Sequence, residues 1–227
     1  MTTKIGSVTH LVKTRNAPYH VVVSQRAKRG SPRAHRPGEH DPRPTKRPYR
    51  RAEQTREHVL EVAARLFYAQ GIRAVGIDRV AAEAEVTTTT LYRLFGSKEG
   101  LVGDYLRRSD ARWFEWLERT AGDGGLVRFF DELDEQARVP EYRGCPFRMA
   151  LAEYPSADSE VHHVAIDNKL RTQERFRELA ASAGSTDPDA AAQRLMLMMD
   201  GICASAAERA PDSPPGVGPA LAREVLA

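Results

Sequence analysis

Cysteine is scarce in this chain: Cys145 and Cys203 are the only two in 227 residues. Two cysteines so far apart give no disulfide framework and no metal-ligand spacing, and they suit a reducing, cytoplasmic setting. Long apolar runs are missing too. No stretch approaches the ~20 residues needed to cross a bilayer, and Val21-Val22-Val23 is too short for the apolar part of a secretory signal. No membrane partner is expected. The sequence also has no phosphate loop, no metal-binding set and no Ser/His/Asp or Cys/His arrangement on a recognisable frame. His162 and His163 are adjacent, so on a helix they diverge by roughly 100° and cannot share a metal as an i, i+4 pair can. Neither an enzyme nor a bound metal or other cofactor is expected.

Acid is nearly absent from the N-terminal region. Residues 1–52 carry 13 Lys and Arg against Glu39 and Asp41 alone, although the whole chain balances to +3. Six prolines (Pro18, Pro32, Pro37, Pro42, Pro44, Pro48) interrupt residues 1–50, and no period runs through them. This region reads as a disordered basic arm. It could neutralise phosphates or enter a minor groove. A solvated tail, an extension from a misassigned start and an RNA-binding arm are the alternatives.

Beyond residue 50 the hydrophobic pattern is helical, and the 41% hydrophobic content of the chain suffices for a core. Val59, Val62, Ala63, Leu66 and Phe67 stripe one helix from about Ala52 to Gln70. Two short helices follow. Ile77, Val80, Ala81 and Ala84 form one face of the first, with Gly76 at its N-cap and Asp78 in its first turn. Val86 and Thr87 make the turn. Thr87 can cap a second helix that buries Leu91, Leu94 and Phe95, which leaves Thr88, Thr89, Tyr92 and Arg93 on or beside the open face. A brace helix followed by a short polar probe is what a major-groove reader needs.

The segment VTTTTLYRLFGSKEGL resembles the helix-turn-helix signature of the tetracycline-repressor (TetR-like) family of bacterial regulators. The likeness is carried by Val86, Thr87, Thr90-Leu91-Tyr92, Phe95, Ser97-Lys98-Glu99 and Leu101. The chain departs from the family at Glu85, where glycine is usual, at Val75 or Gly76, where a hydroxyl is usual, and at Leu94. The resemblance implies an all-α fold in three parts. A disordered basic arm covers residues 1–50, a three-helix helix-turn-helix domain 51–97, and a helical effector-binding and dimerisation domain 98–227. It implies a homodimer that binds double-stranded DNA at a near-palindromic operator, commonly as a repressor, and is released by a small molecule. Thr88, Thr89, Thr90 and Arg93 would read bases, and Thr55, Gly76, Thr87, Tyr92 and Lys98 would lie along the DNA. Arg51 with Arg56 would clamp phosphate. A ligand-independent DNA-binding protein of the same fold is the other reading.

The rest of the chain is expected to be helical. A helix from Ser97 to about Thr120 carries Trp113 and Trp116, and one after Gly122-Asp123-Gly124-Gly125 carries Phe129 and Phe130. GCPFRMALAEYP opens a short helix with Pro146 in its first turn. Cys145 then stands at a helix N-terminus, which tends to lower a thiol pKa; a sensor and a packing role are both open. Val161, Val164, Ala165, Leu170, Phe176, Leu179 and Ala180 mark a helix over 157–183. Another helix from Asp187-Pro188 to about Arg209 is apolar on two sides, fit for a core and a twin subunit. A last helix offers Val217, Leu221, Val225 and Leu226. Trp113, Trp116, Phe129, Phe130, Phe147, Tyr154, His162 and Met199 are the candidate lining of a pocket for a largely apolar effector.

Overall fold

Pro48 does not stop the first helix. The helix α1 spans Lys46–Gln70, beginning well before Ala52 and inside the stretch expected to be disordered. Proline falls in the first turn, where its missing N–H has no intrahelical acceptor to lose. The computed structural model describes residues 46–206 and 217–227, apart from the side chains of residues 46–51, 123 and 124. The basic arm up to residue 45, the side chain of Arg51 and residues 207–216 therefore lie outside the described residues. Among those described, every regular element is a helix.

The brace α2 (Ile77–Glu83) and the probe α3 (Thr88–Phe95) meet at a Schellman turn. Val86 N–H donates to Ala81 O at 3.0 Å and Glu85 N–H to Ala82 O at 3.2 Å. Such a turn needs a left-handed residue, and Glu85 supplies it at φ 54°. The glycine usual in the family has thus been replaced at the position where glycine is conformationally favoured. Val80, Ala81, Leu91 and Phe95 go inward against Val59, Val62, Ala63, Leu66 and Phe67 of α1.

The long α4 (Lys98–Gln136) joins this head to the body. The glycine run parts two helical segments, as expected. It makes a kink at Gly125 (φ 72°, ψ −172°), a backbone conformation that side-chain-bearing residues avoid. Across the bend Phe129 packs on Trp113 and Trp116, and Phe130 packs on Phe129. Around α4 pack α5 (Pro146–Glu153), α6 (Glu160–Ser182), α7 (Pro188–Ser205) and α8 (Val217–Leu226).

In two helices some of the expected core positions are exposed instead. Leu170 of α6 is 62% exposed, because Asn168, Lys169 and Thr172 occupy the inner side. Asn168 donates to Asp110 at 2.8 Å, and Thr172 accepts from the Trp113 indole at 3.1 Å. In α8 the buried residues are Gly218, Pro219 and Ala222, while Val217 is 60% and Leu221 40% exposed. A Cβ on Gly218 would stand 3.0 Å from the Phe130 carbonyl oxygen, so small residues let α8 lie close on α4.

Candidate functional site

The outer face of α3 is built by its cap. Thr87 Oγ1 accepts from Thr90 N–H at 3.1 Å and lies 2.9 Å from the Thr90 hydroxyl. These two threonines thus spend much of their bonding on the helix start. Leu91 and Phe95 anchor the inner side, and Thr89, Tyr92 and Arg93 stand exposed, with Thr88 half-buried beside them. Tyr92 is 53% exposed. A large ring left in solvent at the tip of a rigid two-helix unit is available to a partner.

The supporting residues divide. Gly76 is the exposed N-cap of α2 and has no side-chain cap. Thr55 is half-buried on α1. Lys98 lies against the head, where its ammonium donates to Arg73 O at 3.2 Å and partial burial lowers its pKa. Arg56, expected beside Arg51 at the phosphates, is engaged within the chain. Its guanidinium donates to Leu94 O at 2.6 Å, pairs with Asp104 and lies 4.6 Å from the Phe95 ring centre. It ties α1 to the end of α3 and to α4. The sequence carries no signal for those distant partners.

Four of the expected pocket residues form one cluster. Trp113 and Trp116 are 5.4 Å apart between ring centres, Trp116 and Phe129 4.9 Å, and Phe129 and Phe130 5.0 Å. Phe176, which the sequence reading left out of the lining, closes it at 5.5 Å from Phe129 and 5.8 Å from Phe130. The Trp116 Nε1 is buried and has no hydrogen-bond partner among the described residues. Phe147 and Met199 are buried in the same core. Tyr154, at the edge of that core, and His162 stand at the junction with the head. The Tyr154 ring lies 5.3 Å under the Arg73 guanidinium, and His162 Nδ1 is 2.9 Å from Tyr154 O. Both cysteines are buried. Tyr142 donates to Cys203 Sγ at 3.1 Å, and burial pushes the Cys203 thiol up to about 12.

A braced probe helix at the tip of an all-helical body defines a helix-turn-helix DNA-binding protein. Residues 59–105 match the family described as bacterial regulatory proteins, tetR family. A TetR-family transcriptional regulator from Streptomyces coelicolor has a similar structure, with 32% identity and a TM-score of 0.71 over 77% of this chain and 95% of that one. A TetR-type regulator from Streptomyces avermitilis aligns at 28% identity and a TM-score of 0.67, over 76% of this chain and 96% of that one. The HTH-type transcriptional regulator YjdC of Escherichia coli K12 is 26% identical over 64% of this chain and 80% of its own length. The chain belongs to the TetR family of transcriptional regulators. It is a DNA-binding regulator, not an enzyme. No helix among the described residues is long and apolar enough to cross a membrane.

Proposed function

We propose that the chain is a homodimeric repressor whose two heads enter successive major grooves of a near-palindromic operator. The observation that carries this reading is the open face of α3, with Thr89, Tyr92 and Arg93 exposed over a buried Leu91 and Phe95. Thr88, Thr89 and Arg93 meet base edges, and Tyr92 meets phosphate. Thr90 and Lys98 join only in competition with the Thr87 hydroxyl and Arg73 O. The head is residues 51–97, and residues 98–227 hold the pairing and effector surfaces. Pairing is supported by Ile166 and Leu170 on α6 and by Leu197 on α7. These are 37%, 62% and 73% exposed, and α7 is the helix expected to turn one side to a twin subunit.

The effector enters the cluster of Trp113, Trp116, Phe129, Phe130 and Phe176. Rings in mutual contact must part to admit it, so the ligand acts by preferring an opened body to the closed one. The unpartnered Trp116 Nε1 supports an apolar molecule with one hydrogen-bond acceptor. The closed packing of the same rings favours the second reading, a ligand-independent regulator of this fold.

Both parts are tested with the full chain and a duplex recovered by in vitro selection. Arg93→Ala should cost about 1–3 kcal/mol on that duplex and relax the sequence preference. Equal affinity for wild type and variant would sink the DNA reading. The chain's two tryptophans both lie in the cluster. A screen of apolar carbonyl compounds should therefore quench their fluorescence and release DNA together. Quenching without release would leave the ligand-independent reading in place.

A further inference from the structure

The corner between α1 and α2 is gripped from both ends of α5. At the near end, Tyr68 Oη accepts from Arg143 N–H at 2.9 Å and donates to Gly144 O at 3.0 Å. The Arg143 guanidinium donates to Ala69 O. At the far end, the Glu153 carboxylate accepts from Ile72 N–H at 2.9 Å and from Arg73 N–H. Two successive backbone donors closing on one carboxylate make a small anion nest, and bonds to an ionised acceptor are stronger than neutral ones. Between the grips, Phe147 and Ala150 root α5 in the body core. Gly71, Arg73 and Glu153 also border an open groove with Gln70, Ala74, Ala152 and Pro155, so the far grip can be made and broken in contact with water.

Elsewhere Arg73 of the head lies over the Tyr154 ring, and along α4 Arg56 pairs with Asp104 and Arg108 with Glu57 and Glu61. Those pairs bind α1 to α4 and leave a pivot about α4 open. The Glu153 nest lies off that line, at the corner itself.

We propose that Glu153 is a positioning residue: by clasping the backbone of Ile72 and Arg73 it fixes the angle of the reading head on the body, and so the spacing of half-sites that the protein accepts. This rests on the two-headed reading above. The Tyr68 grip remains when Glu153 is changed, so Glu153 variants keep their fold.

The test places a spin label at Gln54→Cys, an exposed position on α1, in the full chain, whose own two cysteines are buried. Pulsed dipolar measurement of the dimer should give a narrow head-to-head distance distribution. Glu153→Ala should broaden it, and Glu153→Gln, which keeps one acceptor oxygen, should fall between. On a selected duplex whose spacer is lengthened by two base pairs, the wild type should lose roughly tenfold in affinity, the equivalent of one good charge-assisted bond. The alanine variant should lose much less, with single half-site affinity unchanged. A lowered melting temperature with an unchanged distance distribution would make Glu153 merely structural and overturn the proposal, leaving the dimer intact. No dipolar signal from the wild type would remove the dimer and the proposal together.

Discussion

Glu85 is held at φ 54° in the turn before the probe helix. A left-handed backbone costs a residue with a side chain on the order of 1 kcal/mol relative to glycine. Glu85→Gly should raise the unfolding free energy by roughly 0.5–1 kcal/mol, read by thermal melting. On the proposed DNA reading it also removes an acid near where phosphates would pass, so DNA affinity should rise, most at low salt. An unchanged melt would mean that the contacts of the glutamate compensate the strain. The replacement of the family's glycine was visible in the sequence, but its conformation emerges only with the Val86–Ala81 and Glu85–Ala82 bonds around it. Arg56 was legible as a cation and not as a tie, since its partners Leu94 and Asp104 come from other helices. The buried tyrosines give a pH dependence. Burial, above other causes, raises the pKa of Tyr68, Tyr105 and Tyr142. The folded state thus holds these protons more tightly than the unfolded chain. Their stabilisation is complete below the unfolded value near 10 and is lost as pH climbs beyond it toward the folded values. Denaturant midpoints should fall above about pH 10, with phenolate absorbance of these three rings appearing only on unfolding.

At the scale of elements, boundaries were readable where a cap and a hydrophobic period coincide. Thr87 accepts from Thr90 N–H, Ser97 from Gly100 N–H and Asp187 from Ala190 N–H, and each opens the helix expected after it. They were misread where polar residues face inward. Asn168 and Thr172 find Asp110 and Trp113 across the α4–α6 contact, and Leu170 is displaced to the surface. The same limit applies to the proposed pocket. Four of the aromatic rings named for it do cluster, whereas Tyr154 meets the Arg73 guanidinium at the head. The bend of α4 offers a direct check. Gly125→Ala meets no neighbouring atom within 4 Å, yet forces alanine into a conformation that glycine alone adopts easily. The expected loss is about 1–3 kcal/mol of stability. Tryptophan emission should shift to the red as Phe129 draws away from Trp116. A full-strength melt with native emission would show that α4 can bend without glycine.

For the molecule as a whole, the exposed leucines matter most. Leu197 on α7 is 73% exposed, on a helix whose other side is buried through Leu195, Met199 and Ile202. Leu197→Arg should put two cations face to face across a symmetric contact and halve the solution mass in sedimentation. Operator affinity should then drop toward that of a single head. An unchanged mass would move the pairing surface elsewhere. The close seating of Gly218, Pro219 and Ala222 on α4 has a practical side. Helix α8 acts as a stopper beside Phe130, with little side-chain bulk to hold it in. Anything heavy fused behind Ala227 would pull on that stopper and loosen the aromatic core that the tryptophans report on. An affinity handle or a fluorescent tag for ligand studies therefore belongs at the opposite end of the polypeptide.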